Sequence, residues 1–229
     1  MATSADLYFV NEIFTSLQGE GMLSGRPVVF VRFSRCNLNC SFCDTNFSEE
    51  RTMHASEIIS DILRIGGNLR QVILTGGEPF YQNLLPLCHM LSQKEYFVQV
   101  ETNGMLPVPK EIHERKLIKW YTVSPKTPNF IGLFSEFSKK SGKAPEKIDI
   151  SELKVLWEGI EHTEKYERFR EVAGAMYNHL VPIDRRKKTL EINYLNQTLY
   201  KDVAEIIKYI FVNPVWQLGL QNHKIWRVK

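Results

Sequence analysis

Short apolar runs alternate with helical patterns along most of this chain, and this alternation constrains the fold more than any other feature. Strands alternating with helices predict βαβ crossovers and a parallel sheet. The predicted strands are Val28–Val31, Val72–Leu74, Phe97–Glu101, Lys119–Val123, Glu152–Leu156, His179–Pro182 and Trp216–Gly219. The predicted helices run from an N-cap at Ser56 to Gly66-Gly67, and over Leu84–Ser92, Lys110–Arg115, Thr163–Tyr177 and Leu195–Ile210. About six βα units are too few for a closed eightfold barrel, so an α/β fold with a partial, open (β/α)6-type barrel is predicted.

Length and charge narrow the possible functions. A chain of 229 residues, 43% of them hydrophobic, is expected to form a single domain over residues 1–229. The formal charge of +3 is spread along the chain, which does not predict nucleic-acid binding and is compatible with a small anionic substrate. No signal peptide and no long apolar run is recognisable, so a cytoplasmic protein without membrane contacts is expected. The basic segments 137–148 and 185–188 are expected to be exposed loops.

Three cysteines follow the first predicted strand at the spacing C-x3-C-x2-C. They are Cys36, Cys40 and Cys43, and the fourth cysteine, Cys88, lies far away in an apolar helical segment. Thiolates are the usual ligands of a 4Fe-4S cluster, and three of them leave one iron open to a small molecule. An amine and a carboxylate side by side, as in S-adenosylmethionine, could chelate that iron. One electron could then break the sulfonium C–S bond and release a 5′-deoxyadenosyl radical.

Two other interpretations of the cysteines remain open. A structural zinc site could recruit a distant histidine such as His54 as its fourth ligand, although zinc sites more often use paired C-x2-C hooks. Cys88 is expected to be a buried structural thiol and not a ligand.

A second motif supports the iron-sulfur interpretation. The strand Val72–Leu74 leads into Thr75-Gly76-Gly77-Glu78-Pro79. Two glycines allow the backbone to approach a ligand closely, and ligands collect at the carboxyl ends of parallel strands. Because it lies one βα unit after the cysteines, this turn is expected to share their site.

With these motifs, the sequence resembles the radical S-adenosylmethionine superfamily and, within it, the family of 7-carboxy-7-deazaguanine synthases. The resemblance covers nearly the whole chain. Its further blocks are Asn11–Phe14, Leu17–Gly21, Gly25–Pro27, Phe30–Arg32, Glu101–Gly104, Val123–Lys126, Glu152–Val155 and Gln221–Lys224.

The resemblance implies an activity and its requirements. Members of that family convert 6-carboxy-5,6,7,8-tetrahydropterin to 7-carboxy-7-deazaguanine and ammonia, with a 4Fe-4S cluster, S-adenosylmethionine and Mg²⁺. The product leads to 7-deazapurines such as queuosine in tRNA. A reductant protein such as flavodoxin or ferredoxin and a homodimeric state are also implied.

Site residues carry over by position. Cys36, Cys40 and Cys43 would hold the cluster, and Thr45 would contact Mg²⁺. Substrate would meet Leu17, Gln18, Gly19, Glu20, Arg32, Thr75, His223 and the terminal carboxylate of Lys229, with Glu20 and Arg32 also serving in catalysis. S-adenosylmethionine would meet Phe42, Cys43, Asp44, Gly77, Glu101, Ser124, Pro125, Lys126, Val181, Pro182, Ile183 and Asp184.

Taken singly, several of these residues have simpler explanations. Gln18–Gly21 could be only a polar turn, Arg32 and Glu101 could belong to structural ion pairs, and His223 could be a packed histidine. Chemically, Gln18 and Glu20 suit the donors of a pterin edge, and Arg32 suits a bidentate pair with its carboxylate.

Two departures from the family pattern concern the substrate. In the family a glutamine usually precedes the proline near the adenine of S-adenosylmethionine, and here Val181 precedes Pro182. Asn222 replaces a threonine beside His223. A diverged radical enzyme, for example a glycyl-radical activase, and a non-catalytic zinc or iron-sulfur module are the alternative functions.

Overall fold

The computed structural model describes residues 6–40, 43, 50–136, 144–183 and 197–229, and these contain one nine-stranded sheet. Its strand order is β3-β1-β2-β4-β5-β6-β7-β8-β9. The strands are β1 Leu7–Leu17, β2 Pro27–Phe33, β3 Arg51–His54, β4 Gln71–Gly76, β5 Phe97–Thr102, β6 Trp120–Val123, β7 Glu152–Trp157, β8 Tyr177–Pro182 and β9 Gln217–Leu218.

The sheet is parallel from β2 through β4 to β9, and β1 and β3 extend it antiparallel beyond β2. It is open, because β3 and β9 each pair with one neighbour in this order. The predicted partial, open barrel is therefore confirmed. All parallel strands point their carboxyl ends to the same edge, which is where the cysteine loop and the Gly-Gly turn emerge.

Helices connect the strands. They are α1 Ala55–Gly66, α2 Leu85–Gln93, α3 Lys110–Glu114, α4 Thr163–Ala173, α5 Gln197–Val212 and α6 Asn222–Trp226, with short 3-10 turns at Pro79–Tyr81 and Ile160–His162. Helix α1 illustrates why they form. Ile58, Ile59 and Ile62 are buried on one face, and the helix ends at Gly67, whose φ of 52° suits glycine.

The two faces of the sheet differ in polarity. Alternate residues such as Val72, Leu74, Val98 and Val100 pack with the helices in the main hydrophobic core. The opposite, inner face carries a chain of buried polar side chains, in which Gln71 donates to Gln99 at 3.2 Å and Gln99 donates to Thr122 at 3.2 Å. A second, smaller apolar cluster of Val28, Phe30 and Ile73 lies outside the main core, so the inner face combines apolar and polar parts.

Several local predictions were wrong. Ser56 lies inside α1, whose N-cap is His54, and a capping box between His54 and Glu57 explains the earlier start. The α4 helix ends at Ala173 because Gly174 adopts a left-handed conformation, and Tyr177 already belongs to β8. The strands β1 and β3 and the helix α6 were not predicted.

Some predicted segments lie partly or wholly outside the residues that the structure describes. The basic segment 185–188 and residues 137–143 of the other predicted loop lie outside the described residues. Residues 144–148 form no regular element, although Ile148 is buried. Among the described helices, none combines the length and apolar character needed to span a bilayer.

Candidate functional site

A cavity of about 320 Å³ opens at the carboxyl edge of the parallel strands. Each of β2, β4, β5, β7 and β8, together with the turn after β6, supplies part of its wall. The lining residues that the sequence predicted are Leu17, Gln18, Gly19, Glu20, Arg32, Cys36, Cys40, Cys43, Thr75, Gly77, Glu101, Ser124, Lys126, Val181, Pro182, Ile183, His223 and Lys229. A cavity at this edge is the expected ligand site of an open α/β sheet.

The three cysteines of the loop after β2 lie together on the cavity wall, and all are free thiols. The loop folds on itself through the amide of Leu38, which donates to Cys36 Sγ at 3.4 Å, and that of Cys43, which donates to the Cys40 carbonyl at 3.1 Å. Burial raises the pKa of the Cys36 thiol. A thiolate there requires a nearby cation, which iron would supply.

The zinc alternative gains no support from the described residues. In the ranges that the structure describes, no three His, Cys, Asp or Glu side chains gather closely enough to surround a single metal ion. His54 lies at the start of α1, where its Nδ1 is 3.3 Å from Asp6 Oδ1, and it is not part of the cavity wall. Cluster thiolates each bind a different iron and need not meet at one point, so the three thiols fit a cluster better.

The Gly-Gly turn after β4 lies against the cysteine loop. Gly77 N–H donates to the Phe33 carbonyl at 2.9 Å, and Glu78 N–H donates to the Arg35 carbonyl at 2.8 Å. A Cβ added at Gly76 or Gly77 would lie 2.3 Å from Phe33 O or 2.1 Å from Arg35 O, respectively. Glycine is therefore required at both positions for the two loops to touch.

The next residue, Glu78, anchors this turn to β5. Its side chain is fully buried and accepts hydrogen bonds from Thr102 Oγ1 at 2.7 Å, the Asn103 amide at 2.7 Å and the Phe80 amide at 3.0 Å. Asn103 in turn donates to Asn37 Oδ1 at 2.8 Å, within the cysteine loop. The cysteine loop, the Gly-Gly turn and the end of β5 thus form one hydrogen-bonded unit.

A buried charge network forms another part of the cavity wall. Lys154 Nζ lies 2.8 Å from Glu20 Oε2 and 3.6 Å from Glu101 Oε1. Gln18 donates to Glu101 at 3.0 Å, Thr75 donates to Glu101 at 3.2 Å, and Gln221 donates to Glu20 at 3.0 Å. This wall presents carboxylate oxygens to the cavity and so suits the N–H donors of a ligand.

The ionisation of Glu20 follows from this network. Burial opposes the charged form, but the charge of Lys154 and hydrogen bonds from Lys154 and Gln221 outweigh burial and lower the pKa of Glu20 to about 2. The same carboxylates raise the pKa of Lys154 against the effect of its burial. Both groups are therefore charged at neutral pH.

This charge state predicts a pH-dependent stability difference for Glu20→Gln. The folded pKa lies below the ordinary 4.5, so the stabilisation is present above pH 4.5 and is lost as the pH falls toward 2. The difference between 4.5 and about 2 corresponds to a free energy of unfolding on the order of 3 kcal/mol. Urea unfolding of wild type and Glu20→Gln between pH 7 and 3 should show a gap that narrows below pH 4.5. The exposed Glu164→Gln serves as control, and a gap independent of pH would contradict the assignment.

Arg32 stands near the end of β2 on a cationic part of the wall. Its Nε donates to Glu12 Oε1 at 2.9 Å, and Lys229 Nζ pairs with the other oxygen of Glu12. The guanidinium carbon and Lys229 Nζ lie 5.6 and 4.7 Å from the Phe14 ring centroid. The structural ion pair considered for Arg32 is present, but it uses one of the five guanidinium donors, and the side chain stays 27% exposed.

The C-terminal segment covers the turn Gln18–Gly25. Asn222 N–H donates to the Gly19 carbonyl at 2.8 Å, and its side chain donates to Ser24 at 2.9 Å. A Cβ at Gly19 would lie 2.2 Å from His223 Nδ1, so the histidine packs directly on this glycine. The segment thereby places His223 on the cavity wall.

The residues predicted for S-adenosylmethionine lie at the ends of β4 to β8. Lys126 donates to Ser124 at 2.8 Å, and Val181 is buried on the cavity wall. Pro125 does not line this cavity and instead borders a small adjoining one of about 30 Å³. The predicted contacts Phe42, Asp44, Thr45 and Asp184 lie outside the described residues.

Sequence reasoning missed Lys154, although its block was recognised. The signal was present: Glu152 and Lys154 alternate with Leu153 and Val155 in a strand whose other residues are apolar. Period-two alternation places both charged residues on the same face, and a lysine on an inner face needs a carboxylate partner.

Comparisons with known proteins identify the family of the chain. The model of the Radical SAM superfamily matches residues 30–149. The 7-carboxy-7-deazaguanine synthase of Bacteroides thetaiotaomicron is 33% identical over 216 residues, covering 94% of this chain and 96% of that protein. The enzyme of the same name from Escherichia coli K12 is 31% identical and covers 95% of this chain and 97% of that protein.

Solved structures show the same fold. The crystal structure of QueE from Escherichia coli superposes with a TM-score of 0.69 at 23% identity, covering 95% of each chain. Streptococcus suis SuiB bound to S-adenosylmethionine gives a TM-score of 0.51 at 16% identity over 81% of this chain and 48% of SuiB. With the sequence relatives, these findings place the chain in the radical S-adenosylmethionine superfamily and, within it, in the 7-carboxy-7-deazaguanine synthase family.

Proposed function

We propose that this enzyme converts 6-carboxy-5,6,7,8-tetrahydropterin to 7-carboxy-7-deazaguanine and ammonia. The observation that carries the proposal is the polarity of the cavity. The guanidinium of Arg32 stands on one wall, and the acceptor oxygens of Glu20 and Glu101 stand on another. A bicyclic ligand with a carboxylate at one end and several N–H donors at the other matches both walls.

The cofactor end of the cavity suits the same chemistry. Cys36, Cys40 and Cys43 would hold a 4Fe-4S cluster with one open iron, beside the Gly76-Gly77 turn. With S-adenosylmethionine bound, the cluster supplies reductive cleavage and hence hydrogen-atom abstraction from the substrate. Ser124, Lys126 and Val181–Ile183 border the space left for the adenosyl group.

The chain's own residues orient the substrate for this step. Arg32 would bind the substrate carboxylate through its remaining donors, while Glu20 would accept N–H groups and Gln18 and Thr75 would hold Glu101 in place. Thr45 would contribute a hydroxyl to Mg²⁺, as the family resemblance implies. A reductant protein and a homodimer belong to the same proposal.

The direct test is turnover. The cluster is reconstituted anaerobically, S-adenosylmethionine, Mg²⁺, a reductant and the carboxypterin are added, and 7-carboxy-7-deazaguanine is sought by mass spectrometry. Product over many turnovers is expected. If 5′-deoxyadenosine accumulates without it, the substrate is another molecule and the replacement at Val181 becomes the first place to look.

Arg32→Ala should weaken binding of the carboxypterin by about 1.5 to 3 kcal/mol, the usual value of hydrogen bonds to a charged group. Lys229 also contacts Glu12 and can take over part of the cationic wall, so binding is weakened but not abolished. Calorimetric titration of the protein with its cluster measures the affinity. Arg64→Ala, at an exposed position of α1, is the matched control. If the variant binds the carboxypterin with wild-type affinity, Arg32 does not bind the substrate.

A further inference from the structure

Lys154 occupies an unusual position for a lysine. It lies in the middle of β7 with only 9% of its side chain exposed, on the inner face of the sheet and on the cavity wall. Desolvating an ammonium is costly unless partners compensate it. Here Glu20 and Glu101, from the turn after β1 and the end of β5, supply that compensation at 2.8 and 3.6 Å.

We propose that Lys154 is the positioning residue that holds Glu20 and Glu101 in place as acceptors for the N–H edge of the substrate. The inference rests on the proposed function for the identity of that substrate, but not for the arrangement of the three side chains. Two carboxylates near one another disfavour each other's ionisation, and a cation between them removes this penalty. Lys154 therefore acts through both glutamates.

The hydrogen bonds around the lysine fix the directions of both carboxylates. Glu20 receives Lys154 on Oε2 and Gln221 on Oε1. Glu101 receives Gln18 on Oε1 and Thr75 on Oε2. Donors at both oxygens restrict rotation of each carboxylate, which leaves a defined set of lone pairs for a ligand.

Other titratable groups near Lys154 do not take over its role. Glu152 and His179 lie beside it on the inner face, 3.3 Å apart. Burial raises the pKa of Glu152, and burial with the Lys154 charge lowers the pKa of His179 to about 4, so His179 favours its neutral form. His223 faces Glu20 from the C-terminal segment. Lys224 also lines the cavity and donates to Gln221 at 2.6 Å, so among these groups Lys154 is the cation that lies beside both carboxylates.

A ligand-free measurement tests the inference first. The full-length protein with its oxidised cluster is labelled with [δ-¹³C]glutamate, and the Glu20 signal is identified by its loss in Glu20→Gln. Above about pH 5, where the acid-labile cluster survives, this carboxyl should stay ionised in wild type, whereas in Lys154→Met its titration midpoint should rise above 4.5 and its signal should begin to shift within that range. Lys154→Arg should restore the low midpoint by restoring the charge. An unchanged midpoint in Lys154→Met would overturn the proposal, whatever the substrate.

A double-mutant cycle then tests whether Lys154 acts through Glu20. Lys154→Met and Glu20→Gln should each weaken carboxypterin binding about 10- to 100-fold, and the loss in the double variant should be clearly smaller than the product of the two single losses, the remainder being the part that acts through Glu101. Independent, multiplying effects would show that Lys154 does not work through this glutamate. Lys110→Met removes an ion-paired lysine on α3, away from the cavity, and serves as control. If wild type itself fails to bind the carboxypterin, the proposed substrate is wrong. The titration of Glu20 still decides whether Lys154 has the proposed role.

Discussion

Replacing Cys40 with alanine is expected to abolish both iron binding and the cleavage of S-adenosylmethionine. Three thiols lie on the cavity wall, so the variant leaves two ligands for a cluster that needs at least three. Iron and acid-labile sulfide analysis, absorbance near 400 nm and the yield of 5′-deoxyadenosine measure the loss. The effect should be total because no step of the proposed reaction precedes cleavage.

Cys88→Ala is the matched control for this prediction. Cys88 is fully buried in α2, within the hydrophobic core, and burial raises the pKa of its thiol to about 12. It cannot replace Cys40 as a thiolate ligand, and its own loss should leave the iron content unchanged. Cleavage that survives in Cys40→Ala would mean that the C-x3-C-x2-C loop is not the cluster site. Stoichiometric zinc without sulfide in the wild type would instead favour the structural zinc interpretation.

The parallel part of the fold was predictable because its strands are buried on a common apolar face. Runs such as Val72–Leu74 are almost continuously apolar, which is typical of buried parallel strands. The flanking helices instead space their apolar residues three or four positions apart. The antiparallel edge was not found for an equally physical reason. In β1 the register shifts between Val10 and Glu12, so the alternation of apolar and polar residues is interrupted, and β3 has only four residues.

The candidate site, too, was predictable only in part. The cysteines, the Gly-Gly turn and Glu20 belong to sequence blocks whose order indicated a family, and the structure gathers them around one cavity. Lys154 was overlooked because its function depends on Glu20 and Glu101, which are far away in sequence. Only the pairing of β5, β6 and β7 brings Glu101 and Lys154 within reach of each other.

Glu78 is a motif residue that is not part of the cavity lining and yet holds the site together. Its carboxylate accepts three hydrogen bonds, two of them from Thr102 and Asn103 at the end of β5. Glycines at 76 and 77 permit the close approach of the two loops, but glycine also permits many other conformations. The buried carboxylate of Glu78 selects one of them, and this explains why an acidic residue follows the two glycines.

Glu78→Ala should therefore destabilise the protein by at least about 3 kcal/mol, because three buried donors lose their acceptor and each orphaned group costs about 1 to 3 kcal/mol. Urea unfolding measures this loss, and titration with S-adenosylmethionine should show weaker binding as the Gly76-Gly77 turn moves away from Arg35. Glu78→Gln keeps one acceptor oxygen, so it should lose less of the free energy of unfolding and less affinity for S-adenosylmethionine.

Glu114→Ala is the control for a surface carboxylate, since its side chain is 48% exposed and pairs with Lys110 at 3.1 Å. That variant should change the free energy of unfolding by less than about 1 kcal/mol. The two losses in Glu78→Ala should appear together, because the same three hydrogen bonds hold both the end of β5 and the Gly-Gly turn. A variant that lost stability but bound S-adenosylmethionine with wild-type affinity would show that the turn keeps its conformation without Glu78, and the cysteine loop alone would then have to hold it.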